Sequence, residues 1–239
     1  MQTGHNTYLW TPERVRFMAD AAVYGDFPAV LARAVADCVP QRGCICDAGC
    51  GTGWLSLALL PYFPSVTAAD ASETALSALR AHAAPGLQIL QTDLFTYCPP
   101  RPFDAMVFCF FGSMEQTMAL ARRQCCGRVV LIKRSHAARS FSADGAPHRN
   151  TSGSAEAYLA ACGIPYQHRA MTVEMGQPLR TEADAIRFVR AYSAAPDAVC
   201  PENVLARLRP IADHPVFRFY LPRRRELGLF WFDVPHDGV

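Results

Sequence analysis

The residues best placed to do chemistry are seven in a row, Asp47-Ala48-Gly49-Cys50-Gly51-Thr52-Gly53. Glycines in alternation let the backbone turn with φ > 0 and let a ligand approach main-chain atoms that a Cβ would block. A merely tight strand-to-helix turn needs one glycine, not three. The pattern is Gly-x-Gly-x-Gly preceded by an acid, which differs from the Gly-x-Gly-x-x-Gly of dinucleotide-binding proteins, and Trp54 stands where that fingerprint wants glycine or alanine. A pyrophosphate ligand is therefore disfavoured. A ligand without phosphates, with an ammonium group for Asp47 or a backbone carbonyl to hold it, fits better.

Two further acids fall in register with this loop. Asp70 follows Gly53 by 17 residues, where a carboxylate can accept both hydroxyls of a ribose. Asp93 can accept from an exocyclic amine of adenine, or simply cap a turn. The ten cysteines contain no Cys-x-x-Cys pair, so no zinc site is signalled, and they read as small core residues carrying a thiol. A soft-metal site at the vicinal Cys125-Cys126 is a minor alternative; no metal is expected.

These residues need elements to position them. Helices are expected from about Pro12 to Tyr24 and Phe27 to Val39, the second capped by Asp26 with Pro28 in its first turn. Strands end at Asp47, at Asp70, at Gln91 and near Phe111, and a fifth runs from Gly127 to Lys133. Helices lie between them at Trp54 to Tyr62, Ser72 to His82 and Met114 to Cys126. The apolar run Phe103 to Phe111 suits a strand buried on both faces of a parallel sheet. The alternation predicts an open, mostly parallel α/β sheet. Beyond it come a loop at 135–153, a helix from Ala155 to Cys162, a strand from Pro165 to Met175, and helices at Thr181 to Ser193 and Pro201 to Arg209. Phe217 to Tyr220 and Leu227 to Val234 read as two strands joined at Pro222-Arg223-Arg224-Arg225, closing the sheet antiparallel.

The Asp47-to-Gly53 loop, Asp70, Asp93 and the Phe103-Asp104 start of the fourth strand resemble the successive motifs of class I S-adenosylmethionine-dependent methyltransferases over about residues 25 to 135. The resemblance implies a Rossmann-like open seven-stranded sheet, mostly parallel with an antiparallel last strand and helices on both faces. It implies S-adenosyl-L-methionine as cofactor, with Asp47, Gly49, Cys50 and Gly51 around the methionine part. Asp70 would hold the ribose hydroxyls with Ala71 beside the adenine; Asp93 would take the adenine amine, and Leu94 would offer its N–H. Phe108 to Phe110, including Cys109, would lie beside the sulfonium. Many relatives acting on nitrogen carry Asn/Asp-Pro-Pro-Tyr/Phe after the fourth strand; Cys109-Phe110-Phe111-Gly112-Ser113 departs from it, which disfavours methylation of a base or glutamine amide.

Methyl transfer from a sulfonium is an in-line displacement in which the protein supplies position and a dry site. A base is needed only if the acceptor loses a proton; the candidates are His5, Tyr8, His136, His148 and Glu174. Residues 1–239 are expected to form one methyltransferase domain. Additions at 1–40, a helical lid, and at 177–214, a helical insertion, are expected to select a small-molecule acceptor. Tyr8, Trp10, Arg14 and Phe111 are the substrate candidates, with ordinary helix packing the alternative for Trp10.

Composition narrows the rest. The chain has 239 residues, 51% of them hydrophobic and 18% charged, as in an ordinary folded protein. Its longest apolar stretches fall short of the roughly 18 to 20 residues that cross a bilayer. The start lacks a basic stretch followed by an apolar run, so a cytoplasmic location is the default expectation. The net charge of +2 comes from interleaved acids and bases, among which Lys133 is the only lysine, and nucleic acid is not an expected partner. Alternatives are an RNA or protein methyltransferase using Arg122-Arg123 and Arg223 to Arg225, a cofactor-binding protein without catalysis, and a nicotinamide-dependent oxidoreductase.

Overall fold

The computed structural model describes residues 8–135 and 150–235. Helices α1 (Pro12–Tyr24) and α2 (Phe27–Cys38) lead into β1 (Cys44–Ala48), α3 (Trp54–Leu59), β2 (Ser65–Asp70), α4 (Glu73–Arg80), β3 (Leu87–Gln91), β4 (Phe103–Cys109), α5 (Met114–Gln124) and β5 (Cys125–Arg134). After these come α6 (Ser152–Ala161), β6 (Gln167–Glu174), β7 (Gln177–Leu179), α7 (Glu182–Ala191), α8 (Pro201–Leu205), β8 (Arg209–Pro210), β9 (Phe219–Leu221) and β10 (Arg224–Asp233).

Seven strands form one sheet in the order β3-β2-β1-β4-β5-β10-β6. The first five pair in parallel, and β10 runs antiparallel between β5 and β6. Strand alternation sends side chains to two cores. On β4, Ala105 and Val107 join a layer with Leu31 and Val35 of α2 and Leu55 and Leu59 of α3. Met106 and Phe108 join the opposite layer, with Met118 and Leu120 of α5 and Leu159 of α6. Both faces are thus covered, as a nearly all-apolar strand such as β4 requires.

Apart from this sheet, β7, β9 and β8 form a three-stranded antiparallel sheet. With α1 and α7 it encloses a smaller core of Phe17, Leu179, Phe188, Val189 and Leu221. Buried Gln177 donates to the Phe17 carbonyl at 3.0 Å, and Arg14 donates to the Ala191 carbonyl at 2.6 Å, so α1 is fastened to α7 and β7 by polar as well as apolar contacts.

The expected hairpin at the end of the chain does not form. Strand β9 belongs to the small sheet and β10 to the large one, so residues 222–223 are a crossing between sheets, and Arg224 and Arg225 lie within a strand. Two short strands, β7 and β8, accompany the helices within 177–214. Several expected helices run long: α3 ends at Leu59, not Tyr62, and α8 at Leu205, not Arg209, whereas α6 starts three residues early, at Ser152, because Thr151 and Ser154 build a capping box. Of segment 1–40, α2 is part of the main core, which leaves Tyr8 to Tyr24 as the portion able to cover a site.

Candidate active site

The glycine loop leaves the carboxyl end of β1, where an open α/β sheet binds its ligands. Gly49 and Gly51 have φ of 71° and 55°, a region that a side chain disfavours. The loop is tied to the neighbouring strand end: the Gly49 and Cys50 N–H groups donate to the Ala69 carbonyl at 2.8 and 3.1 Å. Asp70 completes the tie, its two carboxylate oxygens accepting from the Gly51 N–H and the Ser72 N–H, both at 2.8 Å. Asp70 therefore joins the loop to the start of α4.

Asp47 sits beneath the loop, 1% exposed, and accepts from the Ser56 hydroxyl at 2.6 Å. Burial pushes its carboxyl up to about 7, against the opposing effect of the Ser56 hydrogen bond. No ion pair to Asp47 forms among the described residues. It is a buried acid without a built-in cation.

The turn after β4 forms the opposite wall. Phe110 has a φ of 57°, unusual for a bulky residue, and Gly112 a φ of 59°. Lys133 holds this turn. Fully buried, it donates to the carbonyls of Phe111 and Gly112 at 3.0 and 3.2 Å and to Asn150 Oδ1 at 2.6 Å. Burial pulls its ammonium down to about 8. Sequence reasoning missed this role, although one lysine after Val129-Val130-Leu131-Ile132 was a visible signal.

Two aromatic rings lie on the glycines themselves. A Cβ at Gly49 would collide with the Phe111 ring, and one at Gly51 with the Trp10 ring. Phe111 also stacks on Phe95, with ring centroids 6.2 Å apart. Trp10 meets Tyr8 edge to face at 4.9 Å, and the Arg14 guanidinium lies 5.0 Å from the Tyr8 ring centroid.

With this geometry the comparisons agree. Residues 45–131, from β1 into β5, match a family described as a methyltransferase domain. Over that stretch the chain is similar to methyltransferase domains. No protein of curated function matches it. Its fold is similar to that of YcgJ from Bacillus subtilis, with a TM-score of 0.55 at 13% identity over 88% of this chain and 99% of that one. It is also similar to a putative type II methyltransferase from Anaeromyxobacter dehalogenans, with a TM-score of 0.53 at 19% identity over 87% and 97% of the two chains.

The fold brings Asp47, Gly49, Cys50, Gly51 and Asp70 together and adds Trp10 and Phe111 to them. Ala71 is exposed beside Asp70. Asp93 is exposed and caps its own turn, accepting from the Phe95 N–H at 2.9 Å. The buried Leu94 presents its carbonyl to Arg123 and Gln124 at 2.8 and 2.7 Å. Phe108 points into the α5 side of the sheet, fully buried, whereas Cys109 is half-buried at the strand end. Burial drives the Cys50 and Cys109 thiols well above the ordinary range, so neither is a ready nucleophile.

Among the candidate bases, Glu174 is committed elsewhere, accepting from the Tyr220 hydroxyl at 2.8 Å and the Arg223 N–H at 2.7 Å. Tyr8 is packed against the Arg14 guanidinium, which lies 5.0 Å from its ring centroid and 5.7 Å from that of Tyr192. His5, His136 and His148 lie outside the described residues. Cys125 is buried and Cys126 exposed on successive positions of β5, bonding to different carbonyls, so the two thiols point apart and do not form a pincer for a soft metal.

The residues present fit the methionine-nucleoside cofactor. Loop glycines in the left-handed region turn the backbone above β1, with Trp10 and Phe111 lying against Gly51 and Gly49, and a buried acid below offers the countercharge to an ammonium group. A pyrophosphate would meet Asp47 as a like charge.

Proposed function

We propose that this methyltransferase domain transfers the methyl group of S-adenosyl-L-methionine in line to a small-molecule acceptor. The observation that carries the reading is the glycine loop fastened to Asp70 above the buried, cation-free Asp47, at the edge of β1. S-adenosyl-L-methionine supplies an activated methyl on a sulfonium; the chain supplies position and exclusion of water. Asp47 favours the ammonium end, and Gly49, Cys50 and Gly51 offer main-chain groups to the methionine part. Asp70 and Ala71 would take the ribose and adenine, and Asp93 and Leu94 would border the adenine side. Phe110 and Phe111, held by Lys133, close the β4 wall near the sulfonium.

Tyr8 and Trp10, just before α1, and Arg14 within it would cover the opening, with the block 177–214 anchoring that cover through α7 and β7. A small acceptor suits this enclosure. Of the arginines that a polynucleotide would need, Arg225 is buried and Arg123 donates to the Leu94 and Phe95 carbonyls at 2.8 and 2.9 Å.

Thermal unfolding with S-adenosylhomocysteine and with NAD tests the reading. A saturable rise in Tm with the former and none with the latter is expected. Stabilisation by NAD alone sinks it. A cofactor-binding protein without catalysis would show the same rise yet transfer no labelled methyl group to any metabolite fraction.

A further inference from the structure

The strand ends beyond the β4 wall carry two arginines that the cofactor reading does not use. Arg134 ends β5, and its guanidinium lies 5.0 Å from the Phe110 ring centroid. Arg225 lies near the start of β10, only 8% exposed. In the antiparallel β5–β10 pair Leu227 is opposite Arg134, so Arg225 is its diagonal neighbour on the same face, at about 7 to 8 Å between backbones. That face also carries Ile132, Leu227 and Leu229, and it continues onto Phe110.

Neither guanidinium has an ion-pair or hydrogen-bonding partner among the described residues. The acids nearby are engaged: Glu174 by Tyr220 and Arg223, and the exposed Glu226 by the Ser135 hydroxyl at 3.2 Å. The charge that acts on Arg225 is that of Arg134, a like charge. Burial, then Arg134, lowers the Arg225 guanidinium to about 10, which leaves it a cation at neutral pH. An enclosed guanidinium is costly to desolvate, and no described residue supplies a countercharge that offsets this for Arg225. Two guanidiniums carried on one face of adjacent strands can supply the N–H donors that oxyanions accept.

We propose that Arg134 and Arg225 form an oxyanion-binding pair that grips a carboxylate or phosphate group on the methyl acceptor, which rests on the transferase reading above. The strand order gives the span. With neighbouring strands about 4.8 Å apart, Arg134 lies two strands and Arg225 three strands from the glycine loop, roughly 10 and 14 Å along the same sheet edge. A small organic anion bridges that interval with its charged end on the arginines and its reacting atom beside the β4 wall. Tyr8, Trp10 and Arg14 would then close over an acceptor already anchored at one end.

Calorimetric titration at constant ionic strength, with and without S-adenosylhomocysteine, tests the pair with benzoate, phenyl phosphate and uncharged benzamide. Saturable binding of benzoate or phenyl phosphate and none of benzamide is expected; whichever anion binds more tightly identifies the group. Arg225→Gln and Arg134→Gln should each weaken it by roughly tenfold or more, with S-adenosylhomocysteine affinity unchanged. Arg225→Met should abolish anion binding while raising Tm by about 2 to 4 °C, because a partnerless buried charge is removed. Equal binding of anions and benzamide, undiminished binding in both Gln variants, or a fall in Tm for Arg225→Met overturns the proposal. Failure of S-adenosylhomocysteine to bind the wild-type protein overturns the transferase reading instead and leaves the anion titration without it to be read alone.

Discussion

Asp47 and Lys133 are opposite cases of one physical effect, since burial disfavours the charged form of each. For Asp47 the folded carboxyl titrates at about 7, above its unfolded value near 4. The folded state thus holds a proton that the unfolded state has lost, and Asp47's contribution is fully present below about pH 4 and lost as pH rises to about 7. The denaturation midpoint of Asp47→Asn should accordingly gain on wild type between pH 5 and pH 8. A bound ammonium group reverses the preference, so S-adenosylhomocysteine affinity should rise with pH through about 7 in the wild-type protein and stay flat in Asp47→Asn, as read by calorimetry. For Lys133, at about 8 when folded, the contribution is present above the unfolded value near 10.5 and lost as pH falls to about 8. Wild type should therefore gain on Lys133→Met between pH 8 and 10.5. At pH 7 the same variant leaves two carbonyls and Asn150 without their donor, at about 1 to 3 kcal/mol per unmet group, and should slow transfer through a loosened Phe111–Gly112 turn. Asp47 was legible in the sequence because an acid before a glycine loop has a known use. Lys133 was not, because its meaning lies in carbonyls some twenty residues upstream that only the fold brings near.

At the scale of elements, the segment leading into α1 rests on the glycine loop through Trp10, and this contact is where a cover would have to yield. Binding of S-adenosylhomocysteine should change the tryptophan fluorescence of the wild-type protein, and Trp10→Phe should remove most of that change while Trp54 and Trp231 report unaltered surroundings. An unchanged signal in Trp10→Phe would place the movement elsewhere. The helix caps give a simpler expectation: Thr181, whose hydroxyl accepts from the Asp184 N–H at 3.1 Å, should cost about 1 kcal/mol when replaced by Ala, read as a lowered Tm. Local signals of this kind were readable, and Ser72, Ser113 and Thr181 cap helices near where the sequence suggests. Strand partnership was not. Phe219–Leu221 and Arg224–Asp233 look like a hairpin because they are close in sequence, yet pairing is decided by which open strand edge each meets, and the edges they meet belong to different sheets.

For the whole molecule, ten cysteines without a disulfide framework divide by burial. Cys98, Cys126, Cys162 and Cys200 are exposed, whereas Cys46, Cys50 and Cys109 have thiols raised by burial. Mass spectrometry after brief alkylation at neutral pH should find the four exposed thiols modified first, and bound S-adenosylhomocysteine should slow Cys50 and Cys109 further. The two-sheet build also sets an order of assembly. Phe17 and Gln177 are bonded across 160 residues, and the Arg14 contact with Ala191 spans 177. Helix α1 leaves the ribosome long before α7 and β7 exist, so its apolar face waits while β1 to β5 fold behind it. Contacts of such separation are slow to close. The element proposed to cover the site is among the earliest made and the last secured, and a chaperone that shields Phe17 during synthesis would guard the smaller core on which that cover depends.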